Sequence, residues 1–302
     1  MRIDAHFHLI EQLKPFCGKG EGRSLGDGRV EFPNGEIIRF IPEMYRSDCF
    51  TAEMALELMD QHGIDLAVLL QGGYYGFQNG YTMEMARKYP GRFYPVGTLD
   101  PYCIQSEQIL DQLIGTWGFR ALKFEISEKA GVCGYHPDFR IDGPQMQVVF
   151  ERANEVGMAI AFDVGGASQR SYQMQGFERM IKRYPNVRFV MCHLLCPNSP
   201  DQAGWEQDMR LLMADNVWFE IASLPNFIGE NRPYAASVSY IERALRIVGA
   251  QRVIWGTDAP AILNRHSYED LLGYFQNALP PQTIDDVMGK NALTAYAIPV
   301  KS

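Results

Sequence analysis

Short runs of apolar residues, many of them β-branched or aromatic, recur along the chain between longer stretches of mixed polarity. Runs of five or six such residues bounded by turn-forming residues are typical of buried strands. After a first interval of 63 residues they recur every 27 to 38 residues, close to the roughly 30 residues of a strand, a helix and two loops. We therefore predict eight strands, which begin near Ile3, Leu66, Tyr94, Ala121, Ala159, Arg188, Val217 and Val253.

The stretches between these runs have apolar residues at helical spacing. Thr51 is a candidate N-cap and Gly63 a candidate stop for the first helix. Helices are predicted over residues 51–61, 106–116, 144–156, 177–184, 205–214 and 235–248. Strands that alternate with helices in this way predict parallel strands joined by crossover helices. We expect an α/β fold, a (β/α)8 TIM barrel that forms one domain over residues 1–302. A doubly wound open sheet is the alternative, but its glycine fingerprint is absent after the first strand.

The long first interval contains an insertion at about residues 10–48, which includes the glycine-rich stretch GKGEGRSLGDG. A phosphate-binding loop needs a strand directly before it and a helix directly after it. Pro15 precedes this stretch and a candidate hairpin around Asn34-Gly35 follows it, so we favour a mobile loop. Since the insertion follows the first strand, it belongs at the catalytic mouth of a barrel, where we expect a lid. A disordered insertion is the alternative.

Composition narrows the choice of partners. The chain is 46% hydrophobic and 21% charged, as in ordinary globular proteins, and its net charge of −8 without a Lys/Arg cluster argues against nucleic acid. It has no apolar run long enough for a secretory signal or a spanning helix, so no membrane association is expected. The six cysteines form no C-x-x-C pair, which excludes a zinc ribbon and favours reduced thiols in the cytoplasm. We expect a small-molecule substrate, and the oligomeric state stays open between a monomer and a homo-oligomer.

Candidate chemistry lies at the ends of the predicted strands. His6 and His8 form an H-x-H pair whose side chains, about 7 Å apart, share one face of the first strand. Taken alone, the pair is equally well explained as two hydrogen-bonded surface histidines. His193 ends the sixth strand and Asp258 the eighth, and side chains at the C-terminal ends of parallel strands meet at the top of a barrel. A shared site is therefore favoured over separate structural roles.

These motifs resemble those of a known family. DAHFH in the first strand, RFVMCHL in the sixth and RVIWGTDAP in the eighth are similar to the amidohydrolase superfamily. The closer resemblance is to its amidohydrolase-related branch, which includes aminocarboxymuconate-semialdehyde decarboxylase and related hydrolases and lactonases. The supporting stretches are YPVGTLDP, GFRALKFE and GKNALTAYAI, so the resemblance covers essentially the whole chain.

The resemblance implies one divalent metal ion, usually Zn²⁺, in a (β/α)8 barrel. It implies that His6 and His8 are ligands, that Asp258 is a ligand or the base, and that His193 polarises the substrate or acts as acid/base. Asp163 stands where the family usually has a histidine ligand. A carboxylate oxygen binds zinc at about 2.0–2.2 Å, so Asp163 is expected to replace that ligand, and Mn²⁺ becomes an alternative metal. A weak or missing metal is the other alternative.

The fourth predicted strand places Lys123 and Glu125 on one face. The resemblance makes Glu125 a candidate metal ligand, and Lys123 is a candidate for holding a substrate carboxylate. A buried ion pair that only fills the barrel is an equally good explanation.

This set of roles suits hydrolysis of an amide, lactone or ester by a metal-activated water molecule. The same groups can decarboxylate a substrate if the proton is delivered to carbon. We prefer hydrolysis because the minimal site suffices for it, with a non-oxidative decarboxylase as the alternative. A degenerate barrel that binds a ligand without turnover is the alternative from another class.

Overall fold

In a computed structural model, which describes residues 1–197 and 202–299, all eight predicted strands are present and parallel. The barrel strands are β1 Ile3–Phe7, β2 Leu66–Leu69, β3 Phe93–Pro95, β4 Ala121–Glu125, β5 Ala159–Asp163, β6 Arg188–Met191, β7 Val217–Glu220 and β8 Val253–Ile254. Nearly every strand residue is buried, because the interior covers one face and helices cover the other. This burial on both faces explains why the strands could be recognised as apolar runs.

The strands close into a barrel through two junctions. One sheet has the order β1-β2-β3, and the other has the order β8-β7-β6-β5-β4. Parallel bridges join Gly97 to Leu122 and Phe7 to Ala259, so each edge of one sheet meets an edge of the other. The predicted (β/α)8 TIM barrel is confirmed, and the doubly wound open sheet is wrong.

Helices surround the barrel in the predicted alternation. They are α1 Ala52–His62, α2 Asn79–Lys88, α3 Ser106–Asp111, α4 Val132–Tyr135, α5 Pro144–Val156, α6 Met174–Arg183, α7 Gln202–Leu212, α8 Leu224–Ile228, α9 Ala235–Val248, α10 Tyr268–Gly273 and α11 Asn291–Ala295. π-helical turns lie at Gln112–Trp117 and Asp286–Lys290, and 3₁₀ turns at Glu43–Tyr45, Ala250–Arg252, Ala261–Asn264, Tyr274–Ala278 and Pro281–Thr283. No helix among the described residues combines the length and apolar character needed to cross a membrane.

The first helix begins and ends at the predicted residues, whereas the second helix was not predicted. The Thr51 side chain accepts a hydrogen bond from the Met54 amide at the start of α1, and Gly63 ends that helix in the left-handed conformation. Helix α2 was not predicted, because its Asn79-Gly80 start favours a turn. Packing of buried Met83 on the barrel stabilises it instead.

The barrel interior has an apolar floor. Small and branched side chains of the strands pack there with the end of α11, including Ile3, Ala5, Val68, Val96, Ala121, Ala161, Val190, Trp218, Ile254, Ala295 and Tyr296. The Tyr94 hydroxyl donates to the Tyr296 carbonyl at 2.7 Å, which fixes α11 across this end. The polar side chains of the strands therefore gather at the opposite, C-terminal end.

The insertion at 10–48 consists of short antiparallel strands. Phe16–Cys17 pairs with Gly20–Glu21, and Arg29–Glu31 pairs with both Arg23–Ser24 and Ile37–Arg39. The predicted hairpin around Asn34-Gly35 is confirmed by the pairing of Glu31 with Ile37. A strand rather than a helix follows the glycine-rich stretch, which agrees with the rejection of a phosphate-binding loop. The role of the insertion as a lid stays a prediction.

Candidate active site

Eight polar side chains lie at the C-terminal end of the barrel. They are His6 and His8 from β1, Lys123 and Glu125 from β4, Asp163 from β5, His193 after β6, Glu220 from β7 and Asp258 after β8. Seven are buried, and the Asp258 side chain keeps 19% of its surface exposed. All seven residues expected from the sequence are at this mouth, and Glu220 is an addition.

A β-bulge in β1 aims both histidines inward. The pairs between β1 and β2 are Ile3–Leu66, Asp4–Ala67 and Phe7–Leu69. Strand β1 therefore has one extra residue between the second and third pairs, and Ala5 and His6 both face the interior. Phe7 then packs outward on Phe50, and His8 returns inward. Strand alternation correctly predicts a shared face for His6 and His8, but not the bulge before them.

Three imidazoles are oriented by hydrogen bonds from Nδ1 to groups behind them. His6 Nδ1 lies 2.8 Å from Glu220 Oε2, His8 Nδ1 lies 2.9 Å from the Leu70 carbonyl, and His193 Nδ1 lies 2.8 Å from the Ala222 carbonyl. Each partner is an acceptor, so each Nδ1 carries a proton. All three Nε2 atoms consequently face the cavity, the arrangement that outer partners impose on metal-binding histidines.

His8 and His6 present their Nε2 atoms to one carboxylate oxygen. Asp258 Oδ1 lies 2.9 Å from His8 Nε2 and 3.5 Å from His6 Nε2. Burial lowers the pKa of His8 to about 4, so its Nε2 has a lone pair at neutral pH. Two acceptors this close need a proton or a cation between them. The nitrogen and oxygen donors of His6, His8 and Asp258 thus fit a divalent ion.

A second group of metal-competent atoms is less suited to an ion. It comprises His6, His193 and Glu220. Glu220 is fully buried, and its two oxygens already accept from His6 Nδ1 and from the Ala222 amide at 3.1 Å. Both oxygens of this carboxylate are therefore occupied by hydrogen bonds, one of which orients His6. We assign the ion to the group of His6, His8 and Asp258.

His193 forms an ion pair with Asp163. Its Nε2 lies 3.2 Å from Asp163 Oδ2. Burial lowers the pKa of His193, but attraction to Asp163 outweighs it and raises the pKa to about 10. Burial likewise raises the pKa of Asp163, and His193 outweighs it, so the pKa of that carboxyl lies well below its usual range. Asp163 belongs to neither metal-competent group, so its predicted ligation stays a prediction.

Lys123 and Glu125 face each other, with Nζ 3.5 Å from Oε2. Burial and the neighbouring Asp163 charge raise the pKa of Glu125 to about 8, whereas Lys123 opposes this shift. Burial lowers the pKa of Lys123, but Glu125 and Asp163 raise it above its ordinary value. Glu125 therefore retains its proton to a higher pH than an ordinary carboxyl group. It belongs to neither metal-competent group, and its predicted ligation also stays a prediction.

The backbone after β6 turns sharply to bring His193 into the mouth. His193, Leu194, Leu195 and Cys196 all have positive φ values, between 48° and 62°. Left-handed backbone is costly for non-glycine residues and persists only where the surroundings fix it. Here the Trp205 indole donates to the Leu194 carbonyl at 2.7 Å. This turn holds the imidazole between Asp163 and the histidines of β1.

A family model described as Amidohydrolase matches residues 3–298. The chain belongs to this family. No match was found among the curated proteins.

Solved structures of other amidohydrolase-like proteins have the same fold. An amidohydrolase from Burkholderia multivorans with bound zinc is 18% identical, with a TM-score of 0.73 over 99% of this chain and 100% of that one. A probable 2-pyrone-4,6-dicarboxylic acid hydrolase from Acinetobacter baumannii, with citric acid bound, is 14% identical, with a TM-score of 0.69 over 98% and 99%. The 5-carboxyvanillate decarboxylase of Sphingomonas paucimobilis is 17% identical, with a TM-score of 0.58 over 85% of each chain. At these identities the likeness concerns the fold.

Glu220 is the site residue of this amidohydrolase that sequence reasoning missed. It ends the run VWFE, the same place in a strand that Glu125 and Asp163 occupy in β4 and β5. A carboxylate at that position of a predicted barrel strand is the signal that could have identified it.

Proposed function

We propose that this amidohydrolase is a metal-dependent hydrolase of a small amide, lactone or ester. The observation that carries the proposal is the orientation of His6 and His8, whose Nε2 atoms face one oxygen of Asp258. The zinc bound in the Burkholderia multivorans structure and the hydrolase among the structural neighbours support it. Zn²⁺ suits two imidazoles and a carboxylate, with Mn²⁺ as the alternative.

His6, His8 and Asp258 would hold the ion. A divalent ion there would lower the pKa of a water molecule from about 15.7 to about 7. The Asp258 carboxylate, partly exposed at the mouth, accepts the proton of the attacking water molecule. Its low pKa, which burial opposes and the nearby histidines cause, keeps it ionised for this role.

The protonated His193 stabilises the negative charge that develops on the substrate oxygen. Its Nδ1 is fixed on the Ala222 carbonyl, so it donates the Nε2 proton, which the substrate oxygen shares with Asp163 Oδ2 at 3.2 Å. Lys123 binds a substrate carboxylate through its buried ammonium group.

The test combines metal analysis with a substrate panel. Purified protein is assayed for Zn²⁺ and Mn²⁺ and incubated with 2-pyrone-4,6-dicarboxylic acid, 5-carboxyvanillate, simple lactones and simple amides. Mass spectrometry then distinguishes addition of water from loss of carbon dioxide. Addition of water in a metal-dependent manner supports hydrolysis, and its absence for the whole panel contradicts it.

Decarboxylation is the second candidate. Glu125 has a raised pKa and lies beside Lys123, so a candidate proton donor is adjacent to a group that can bind a carboxylate. The structural similarity to 5-carboxyvanillate decarboxylase supports this candidate. Loss of carbon dioxide without addition of water would favour it. A ligand-binding barrel without catalysis predicts neither product.

A further inference from the structure

The loop after β2 places an aromatic side chain over the site. Gly72 and Gly76 form an antiparallel bridge, which makes residues 72–76 a tight loop. Within it the Tyr75 ring lies on the His8 imidazole, with centroids 4.7 Å apart. Tyr75 is 8% exposed, so the loop covers the metal-competent group on the His8 side.

The Tyr75 hydroxyl has no hydrogen-bond partner among the described residues, and its oxygen is not one of the buried side-chain atoms, so it remains accessible to solvent or to a ligand. The phenol interacts electrostatically with the carboxylates of Asp258, Glu125 and Asp163, which line the mouth. The Tyr75 ring belongs to the apolar cluster that includes Phe40, whereas its accessible hydroxyl lies near the carboxylates of the mouth. An accessible hydroxyl donor without a protein partner is free to donate to an acceptor of a ligand.

The same loop lies directly over the Lys123–Glu125 pair. A Cβ atom added to Gly72 would be 3.4 Å from Lys123 Nζ and 3.2 Å from Glu125 Cβ. The phenol of Tyr75 and the ammonium group of Lys123 thus lie on the same side of the mouth. An ammonium and a phenol together recognise an oxygen-rich, anionic group such as a carboxylate.

The insertion at 10–48 holds this loop in place through the backbone. The Lys14 amide donates to the Tyr75 carbonyl at 3.0 Å, and the Phe16 amide donates to the Gly73 carbonyl at 2.9 Å. The Phe40 ring packs edge-on against Tyr75, with centroids 5.3 Å apart. The position of the Tyr75 side chain therefore depends on the insertion.

We propose that Tyr75 donates a hydrogen bond to a carboxylate or carbonyl oxygen of the substrate, beside Lys123. We further propose that the insertion serves to fix Tyr75 in this position. The inference rests on the proposed function, because it assigns the substrate to the same cavity. It adds a specificity-determining residue and gives the insertion a positioning role.

Tyr75→Phe tests the hydrogen bond because it removes one hydroxyl group and keeps the ring on His8. With the panel substrate that the wild-type enzyme turns over, we expect kcat/KM to fall about 10- to 100-fold. Zn²⁺ affinity and the thermal unfolding temperature should stay at wild-type values, because the hydroxyl contacts no ligand. Wild-type kcat/KM in Tyr75→Phe would overturn the proposal.

Gly76→Ala tests the contribution of the insertion. Gly76 has φ of 89°, and an added Cβ would lie 2.5 Å from the Lys14 carbonyl oxygen, so the loop must separate from the insertion. Gly35→Ala is the matched control, since Gly35 has φ of 81° within the insertion and no atom within 4 Å of an added Cβ. We expect kcat/KM to fall about as far in Gly76→Ala as in Tyr75→Phe. The kcat/KM of Gly35→Ala should equal that of the wild type.

The double variant separates this mechanism from general damage. If the insertion acts through Tyr75, then adding Gly76→Ala to Tyr75→Phe should lower kcat/KM only slightly further. Multiplicative losses in the double variant would overturn the positioning role. Failure of the wild-type enzyme to turn over any panel substrate would refute the proposed function, and this inference with it. Turnover with an inert Tyr75→Phe substitution would refute the inference alone.

Discussion

Replacement of Glu220 by glutamine should weaken metal binding although Glu220 is not in the assigned ligand group. Glu220 is fully buried and accepts two hydrogen bonds, from His6 Nδ1 at 2.8 Å and from the Ala222 amide at 3.1 Å. Glutamine has nearly the same shape but offers one acceptor and one donor. It therefore cannot satisfy both of these donors at once.

Either orientation of the new amide has a cost. With the carbonyl toward His6, the amino group faces the Ala222 N–H, and a buried donor–donor contact costs about 1–3 kcal/mol. With the amino group toward His6, Nδ1 must become the acceptor, and the proton moves to Nε2, which then cannot bind a metal. Loss of an outer partner typically reduces metal affinity 10- to 100-fold, or about 1.4–2.7 kcal/mol. We expect Glu220→Gln to fall in this range.

The assay is competition for Zn²⁺ with a chromophoric chelator, with thermal unfolding measured in parallel to verify the fold. Glu128→Gln is the matched control, because Glu128 also accepts two hydrogen bonds, both from Arg170, but lies in an accessible loop. The Zn²⁺ affinity of Glu128→Gln should equal that of the wild type. A folded Glu220→Gln protein that binds Zn²⁺ within about twofold of the wild type would refute the assignment.

Three further predictions concern the same end of the barrel. Replacing His6 and His8 together by alanine should abolish Zn²⁺ binding, because only the Asp258 carboxylate then remains in the assigned group; unchanged metal content by elemental analysis would contradict this. In the metal-free protein, NMR should give a His193 pKa of about 10. This pKa should fall in Asp163→Asn, because burial alone lowers it and Asp163 supplies the opposing attraction; an equal pKa in both proteins would refute the ion pair. Asp4→Ala should lower the free energy of unfolding by about 3 kcal/mol or more in urea, since Asp4 accepts hydrogen bonds from Thr257 and Tyr268 in a fully buried position; a loss below about 1 kcal/mol would contradict this.

The strands and the catalytic end of the barrel could be predicted because their signals are local. A strand buried on both faces is an apolar run, and the C-terminal end of such a run is where a barrel has its chemistry. His6, His193 and Asp258 were found by this rule, and the same rule applied to the seventh run would have found Glu220.

Other features depend on contacts between distant segments and have no local signal. The bulge before His6 is set by pairing with β2, which lies some 60 residues away. The left-handed turn at His193 is fixed in part by Trp205, and Tyr75 is positioned by the insertion. Loop conformations of this kind follow from tertiary packing rather than from residue preferences.

The extra residue in β1 constrains the segment that follows β8. At the bulge the His6 backbone lies close to Gly256, where an added Cβ would lie 2.7 Å from the His6 amide nitrogen and 2.9 Å from its Cβ. The presence of the extra residue in the first strand and the residue at position 256 are therefore expected to coevolve. Relatives that lack the additional residue in the first strand are free to carry a side chain at position 256, whereas those that keep it are restricted to glycine. An alignment of the family should show the length of the first strand and the residue at 256 changing together.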